Sequence, residues 1–232
     1  MPILYLIPTT LGECDLSSVL PSKNNAIVRA IRHFIVEDVR SARRFLRKVD
    51  SEFPIDDASF FVLNQHTTAE EVCSFLAPLK EGHDTGIISE AGCPAVADPG
   101  ADIVKMAQAK GYKVVPLVGP SSILLALMAS GLNGQNFAFA GYLPIKQTER
   151  EQAIRQLERR AKAEQQTQIF IETPYRNAKM LDDLLRICNH STFLCIASNV
   201  TLETEFIRTK TIAEWKKDVP DLEKSPAIFL IN

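Results

Sequence analysis

No apolar run in this 232-residue chain approaches the roughly 20 residues that a membrane-crossing helix needs, which argues against a helical membrane protein. The opening residues, Met1-Pro2-Ile3-Leu4-Tyr5-Leu6-Ile7, lack the basic-then-apolar order of a secretory leader and read as a first strand. Cysteine is sparse: the five residues Cys14, Cys73, Cys93, Cys188 and Cys195 form no C-x-x-C pair and are odd in number. That pattern excludes a disulfide framework and a zinc site, and it fits reduced thiols in the cytoplasm. The four histidines are scattered without ligand spacing, so no metal centre is expected. Charge of one sign is not in excess either. A net charge of −2 lacks the global basic footprint of a strong nucleic-acid binder. Internal repeats and low-complexity tracts are absent. What is there is a 46% hydrophobic chain, long enough to bury one large core or two modest ones.

That apolar content is laid out as alternating strand and helix patterns. Strands are predicted over 3–7, 34–37, 59–63, 85–89 and 113–116, with helices over 23–32, 39–49, 68–80 and 101–110 between them. Thr68-Ala69-Glu70-Glu71 reads as a capping box opening the third of these helices. Strands separated by helices of this length imply a mostly parallel sheet with right-handed crossovers. The segment 119–132 opens Gly119-Pro120-Ser121-Ser122 and continues Ile123-Leu124-Leu125-Ala126-Leu127-Met128. A helix so apolar on nearly every face is expected to be buried between layers or between domains.

A second α/β pattern follows, with strands over 137–141, 167–172, 192–197, 203–209 and 226–231 and helices over 149–164, 177–188 and 211–217. The connection between 197 and 203 is too short for a helical crossover, so this sheet should be mixed. The fold class is therefore α/β with two α/β domains, 1–118 and 119–232, the boundary lying somewhere in 116–136.

The most informative stretch is Ile87-Ile88-Ser89-Glu90-Ala91-Gly92-Cys93-Pro94-Ala95-Val96-Ala97-Asp98-Pro99-Gly100. A short apolar strand breaks into small residues, and a helix follows. Gly92 and Gly100 allow backbone angles closed to other residues, while Pro94 and Pro99 fix theirs. Ala91, Cys93, Ala95 and Ala97 leave room for something to lie against the main chain. Open α/β sheets hold ligands at such strand-to-helix turns, although an ordinary tight turn has the same composition.

Ser89-Glu90-Ala91-Gly92-Cys93-Pro94 with Asp98-Pro99-Gly100 resembles the S-D-A-G-T-P…D-P-G signature of the tetrapyrrole-methylase superfamily. It is most similar to the branch that methylates a ribose 2′-hydroxyl of small-subunit ribosomal RNA. Glu37-Asp38-Val39-Arg40 resembles that branch's E-D-T-R, and Val115-Pro116-Leu117-Val118-Gly119-Pro120-Ser121-Ser122 its V-P-L-P-G-P-S-A. Ser130-Gly131-Leu132 and Phe139-Ala140-Gly141-Tyr142-Leu143-Pro144 match S-G-L and F-x-G-F-L-P. Ile169-Phe170-Ile171-Glu172-Thr173-Pro174-Tyr175-Arg176 resembles F-Y-E-S-P-H-R. His66 falls in the region of the branch's H-x-x-N segment and reads otherwise as a loop residue. The likeness spans nearly the whole chain.

The resemblance implies S-adenosylmethionine as cofactor, held in a cleft between the domains. It places cofactor contacts at Leu11 and Gly12, at Ala91, Gly92, Cys93 and Val96, and at Ser121 and Ser122. Further contacts fall at Glu172, at Asn199 and Val200, and at Pro226 and Ala227. Hydroxyls such as Ser121 and Ser122 beside a Gly-Pro turn serve equally as helix caps. The implied reaction is methyl transfer to a ribose hydroxyl, and the implied partner is ribosomal RNA or the small ribosomal subunit. No membrane partner is expected, and the family suggests a homodimer. Two alternatives stay open: a methylase of a small, tetrapyrrole-like acceptor, and a non-catalytic relative that binds the cofactor. One segment departs from the branch, which opens T-P-I-G-N where this chain has Thr9-Thr10-Leu11-Gly12-Glu13. The chain also corresponds to a short form without the branch's C-terminal extension.

A ribose hydroxyl is a poor nucleophile until its proton has somewhere to go. Glu37, Arg40, Glu172 and Arg176 have suitable chemistry, with roles unassigned. Glu172 and Arg176 flank one turn and read equally as a structural ion pair. Arg40, Arg43, Arg44 and Arg47 fall at i, i+3, i+4, i+7 and make one helical stripe able to meet RNA phosphates. The same stripe is otherwise a solvated face balanced by Glu37, Asp38 and Asp50. A second basic set, Arg155, Arg159, Arg160 and Lys162, reads as i,i+4 pairing with Glu151, Glu158 and Glu164.

Overall fold

In the computed structural model, β1 (Ile3–Ile7) leads a five-stranded sheet in which every pairing is parallel. The structure describes all residues except Gln65, His66 and Glu223, and the side chains of Ala69 and Glu70. The expectation for His66 lies outside the described residues. The chain divides into two compact units, Met1–Ser121 and Ser122–Asn232.

The first unit contains α1 (Leu16–Val19), α2 (Ser22–Ala30), β2 (His33–Val36), α3 (Val39–Val49) and β3 (Ser59–Val62). It continues with α4 (Ala69–Ser74), α5 (Ala77–Lys80), β4 (Thr85–Ile88), α6 (Ala101–Ala109) and β5 (Lys113–Pro116). Strand order is β3-β2-β4-β1-β5. Successive side chains on a strand face opposite sides, and here both sides are covered. Ile7, Phe34, Val36 and Ile88 pack with Val28, Ala42, Phe45 and Leu46 of α2 and α3. Leu4, Ile35 and Ile87 pack with Phe75, Leu79, Ile103 and Ala107 on the other side.

One helix differs from expectation. The pattern over 68–80 predicts a continuous helix, but it splits into α4 and α5, with Pro78 in the first turn of α5. Proline lacks an N–H and collides with the carbonyl four residues earlier, so it is accepted only in a first turn. The capping box itself forms. Glu71 N–H donates to Thr68 Oγ1 at 3.3 Å, and Thr68 N–H donates to Glu71 Oε2 at 2.7 Å.

The second unit contains α7 (Ser122–Ser130), β6 (Phe137–Tyr142), α8 (Gln147–Glu164), β7 (Thr167–Glu172) and α9 (Asn177–Ile187). It ends with β8 (Phe193–Ser198), β9 (Phe206–Thr211), α10 (Ile212–Trp215) and β10 (Ala227–Ile231). Its sheet order is β6-β7-β10-β8-β9, with β6 and β7 parallel and the remaining pairs antiparallel, hence mixed. Phe170, Leu194, Ile196 and Phe229 pack against Ile154, Leu157, Leu181 and Leu184 of α8 and α9.

Helix α7 corrects an expectation. It rests on β8, β9 and β10 and buries Ala126 and Leu127, yet Leu124 is 50% and Met128 78% exposed. A helix apolar all round has only one side against this sheet. The acidic residues of α8 also differ from the i,i+4 reading. Only Glu164 pairs that way, with Arg160 at 3.5 Å. Glu151 pairs with Arg186 of α9, and Glu158 accepts from Asn189 N–H and Thr192 Oγ1 at 2.6 Å each. These carboxylates tie α8 to its neighbours. No helix among the described residues is long and apolar enough to cross a membrane.

Candidate functional site

In the first unit, three connections meet beyond the C-terminal ends of parallel strands. The segment after β1 is held by Thr9, whose N–H donates to Gly92 O at 3.0 Å and whose Oγ1 donates to Ser89 O at 3.1 Å. The segment after β5 reaches the same place, where Cys93 Sγ donates to Pro120 O at 3.4 Å. Gly119 lies against Pro8 so closely that a Cβ there would sit 2.3 Å from Pro8 Cγ. Leu11, Gly92 and Cys93, all implied cofactor contacts, are thus brought together. Burial raises the Cys93 thiol above its ordinary value, so it stays protonated and inert near neutral pH.

The loop between β4 and α6 is strained. Ala95 (φ 63°) and Ala97 (φ 57°) occupy the left-handed region, as do Gly92 (φ 75°) and Gly100 (φ 123°). A left-handed alanine costs roughly 1–2 kcal/mol, because its Cβ crowds the following carbonyl. Such strain persists where the surroundings over-determine the backbone, typically at ligand clamps. A Cβ on Gly92 would meet Leu11 Cδ2 at 3.0 Å and Pro120 O at 3.3 Å, so the segments after β1 and β5 lie close against its main chain. Ala91 and Val96 are among the exposed residues of this loop, with Glu90, Ala97 and Pro99.

Leu11, Gly12 and Ala91 line a groove of about 370 Å³ together with Glu13, Glu90 and the α3 residues Ser41, Arg44 and Lys48. A neighbouring groove of about 630 Å³ is lined by Glu13, Asn25 and again Lys48. The Glu13 carboxylate, where the resembling motif has Asn, therefore shares its surroundings with the Lys48 ammonium. Lys48 lies outside the i, i+3, i+4, i+7 stripe, so that spacing does not mark it. Its place four residues after Arg44 is the signal that does.

Helix α3 buries Ala42, Phe45, Leu46 and Val49 and exposes its arginines. Asp38 caps it, accepting from Ser41 N–H at 2.8 Å, and these bonds hold its carboxyl below the usual range. The four arginines are not equivalent. Arg43 lies over the Phe60 ring, 5.5 Å from its centre, and Arg47 donates to Ser51 O at 2.5 Å. Arg44 makes no ion pair with any described residue, and Arg40 acts only on nearby Asp38. Arg40 is not brought onto Glu37.

Glu37, at the end of β2, faces Asp98 from the strained loop instead. Both line a small pocket otherwise walled by Ile35, Val36, Leu63, Ile87, Ile88 and Pro99. Glu37 Oε1 is buried without a donor. Burial raises the Glu37 carboxyl to about 8, helped by the hydrogen bond and charge of Asp98 and the charge of Glu90. Asp98 is visible in the sequence only as part of D-P-G, which gives it no partner.

In the second unit, the remaining implied residues gather at one end of the sheet. Ala227 of β10 pairs with Glu172 of β7 on one side and Ser198 of β8 on the other. Asn199 (φ 50°) turns the chain there, donating its N–H to Pro226 O at 3.1 Å and its Nδ2 to Thr204 Oγ1 at 3.1 Å. Val200 and Ala227 are buried, whereas Tyr175 on the following turn is 87% exposed. Glu172 is buried, and its Oε1 accepts from Thr173 N–H at 2.7 Å and from Arg176 Nε at 3.0 Å and Nη2 at 2.5 Å. That carboxylate is committed to its neighbours. Buried beside it, Asn177 donates Nδ2 to Ser225 O at 2.6 Å, while its Oδ1 finds no partner among the described residues. Ser121 ends the first unit and Ser122 begins α7 in the second.

Comparison with known proteins places this geometry. Residues 18–216 match the tetrapyrrole (corrin/porphyrin) methylases. The ribosomal RNA small subunit methyltransferase I of Escherichia coli O157:H7 is 29% identical over 232 residues, covering 99% of this chain and 77% of that protein. Its namesake from Bacillus subtilis (strain 168) is 32% identical over 214 residues, covering 92% and 69%. Among solved structures, the methyltransferase CobJ superposes with a TM-score of 0.65 at 14% identity, covering 100% of this chain and 93% of its own, a likeness of fold. The chain belongs to the tetrapyrrole (corrin/porphyrin) methylase family and is a methyltransferase.

Proposed function

We propose that this methyltransferase uses S-adenosylmethionine and methylates a ribose 2′-hydroxyl of small-subunit ribosomal RNA. The observation that carries the reading is collinear similarity, over nearly the whole chain, to relatives whose names specify small-subunit ribosomal RNA. The residues present fit the cofactor. Ala91 and Val96 offer small apolar surface on a strained main chain, which suits an adenosine needing backbone hydrogen bonds. Asn177 Oδ1, without a partner among the described residues, is an acceptor close to the Asn199–Pro226 turn. The contacts proposed for the cofactor are Leu11, Gly12, Ala91, Gly92, Cys93, Val96, Ser121, Ser122, Glu172, Asn199, Val200, Pro226 and Ala227, with the buried Val200 and Ala227 acting through main-chain groups.

When bound, S-adenosylmethionine supplies an electrophilic methyl group. The chain's own work is positioning, since in-line attack requires the reacting atoms about 3–3.5 Å apart. Glu172 and Arg176 position: the guanidinium holds Glu172 Oε1 at the end of β7. Glu37 has no cationic partner among the described residues and is kept protonated near neutral pH by burial, so it too positions and does not accept a proton. Arg40 and Arg44 meet RNA phosphates, while Arg43 and Arg47 are partly engaged within the protein. The reading includes a cytoplasmic homodimer, for which Leu124 and Met128 offer an apolar face.

The test is transfer of a radiolabelled methyl group from S-adenosylmethionine, offering undermodified small ribosomal subunits beside a panel of small acceptors. Label at one ribose of the RNA supports the reading. Label in a tetrapyrrole-like acceptor alone overturns the RNA assignment, and failure to bind S-adenosylmethionine in calorimetry overturns the cofactor.

A further inference from the structure

We propose that Glu37 and Asp98 share one proton, and that this carboxyl pair fastens the Ser89–Gly100 loop to the end of β2, releasing it when the proton leaves. The proposal rests on the function proposed above only for what the loop holds.

The two residues come from different connections. Glu37 ends β2, and Asp98 sits in the strained loop, immediately after left-handed Ala97. Both side chains line one small pocket whose other walls are aliphatic or proline, and Asp98 acts on the Glu37 carboxyl as a hydrogen-bond partner and as a charge. Two ionised carboxylates in one such pocket repel each other, and among the described residues no cation acts on Glu37 to offset that. The charged groups facing Glu37 among the described residues are Asp98 from the loop and Glu90 from the end of β4, both acidic. On its own connection, Asp38 is occupied as the cap of α3, and the Arg40 charge falls on Asp38. If both carboxyls were ionised, Glu37 Oε1 would be a buried acceptor with no donor. A proton between them supplies that donor and removes one of the two charges.

The pair acts on a segment that needs holding. Ala95 and Ala97 are left-handed without being glycine, so the loop keeps its shape only while its attachments last. Thr9 and Cys93 secure the first part, through Gly92 O and Pro120 O. Beyond Cys93, Asp98 reaches back to the end of β2, where it shares a pocket with Glu37. Loss of the proton turns that attachment into repulsion, and the strain of the two alanines then favours release. Glu37 and Asp98 are therefore positioning residues for whatever Ala91 and Val96 contact.

The experiment uses the full chain with carbon-13 alanine methyl labels, titrated from pH 6 to 10 without ligand. In the parent protein the Ala95 and Ala97 methyl signals should move together, with a midpoint near the value of about 8 expected for Glu37. Glu37→Gln gives the pair a fixed amide donor, so both signals should hold still across that range; Asp98→Asn should do the same from the other side. Parent signals that stay fixed from pH 6 to 10, or a Glu37→Gln variant that titrates like the parent, would overturn the proposal. Calorimetry with S-adenosylmethionine then reads the consequence. The ligand's own amine titrates in this range and is common to both proteins, so the ratio of parent to Glu37→Gln Kd is the measure. It should rise about tenfold per pH unit above the midpoint, the limit for one required proton. A ratio that falls with pH would make the carboxylates counter-ions of the ligand and sink the pair as a fastener. No binding at any pH, with the methyl titration intact, leaves the pair standing and removes the cofactor reading instead.

Discussion

Arg176 lays its guanidinium on buried Glu172, with Nε at 3.0 Å and Nη2 at 2.5 Å from the same oxygen. The two residues stand four apart across a 3-10 turn, Pro174–Arg176, so a local turn anchors the end of β7. Arg176→Ala would leave the carboxylate with only the Thr173 N–H. Because the arginine is partly exposed, water enters, and the expected loss is about 1.5–3 kcal/mol, the range for a hydrogen bond to a charged group. Urea denaturation measures it. Arg176→Lys should recover less than half, since an ammonium cannot reproduce the planar fork. Full recovery by lysine would mean that charge alone matters there.

A deeper ion pair sets stability in the second unit. Arg150 and Asp183, both buried, meet through Nε at 2.8 Å and Nη2 at 2.7 Å, and Arg150 Nη1 also donates to Ile145 O at 2.6 Å. Asp183→Ala strands a guanidinium in the core, with an expected cost of about 3–5 kcal/mol. Burial alone would raise the Asp183 carboxyl, but hydrogen bonds from Arg186 and Arg150 outweigh it and hold the carboxyl below 3.8. A depressed carboxyl stabilises above its unfolded value and loses that contribution as pH falls through the folded one. Acid melts of the parent should therefore show a loss below pH 4 that Asp183→Ala lacks.

Glu37 carries the opposite sign. Its carboxyl is raised from 4.5 to about 8 in the folded chain. Between those values the folded state holds a proton that the unfolded state has released, so stability falls as pH rises. The contribution is complete below 4.5 and gone above about 8. Thermal melts of Glu37→Gln against the parent should show a Tm difference that moves in favour of the variant from pH 5 to 8.5. A constant difference would mean that the group titrates normally.

Gly92 shows where sequence reasoning stopped short. The small-residue loop and its place after a strand were legible, as were ten strands and a mixed second sheet, because alternation and helical spacing are local signals. The positive φ of the glycine was legible too, but the close approach of other segments to it was not. It depends on Leu11 and Pro120, which arrive from other connections. The same holds for Asp98, whose partner Glu37 is 61 positions away, and for Arg150 with Asp183. Helix α7 misled for a related reason: its sequence is apolar on every side, but only the fold decides which side meets a sheet. Gly92→Ala should therefore cost about 1–2 kcal/mol even without ligand, from its φ of 75° and the 3.0 Å approach to Leu11. Leu11→Ala in the same chain should restore the steric part. Equal stability of Gly92→Ala and parent would return the glycine to a purely ligand-related role.

The arginine stripe makes a graded prediction that its regular spacing does not. All four guanidiniums are exposed on α3, yet Arg43 rests on Phe60 and Arg47 on the Ser51 carbonyl, leaving Arg40 and Arg44 freer to meet phosphate. Every phosphate that a variant no longer neutralises reduces the slope of log K against log salt by about 0.7–0.9. Arg40→Ala and Arg44→Ala should each flatten the slope by about that amount in binding to a ribosomal RNA fragment, whereas Arg43→Ala and Arg47→Ala should flatten it less. Lys48→Ala, beside Arg44 in the groove of Leu11 and Ala91, should behave like Arg44→Ala. Filter binding from 50 to about 200 mM salt resolves the difference. If all four arginine variants change the slope equally, the interactions of Arg43 and Arg47 within the protein yield to RNA without cost; if none does, the strand passes elsewhere.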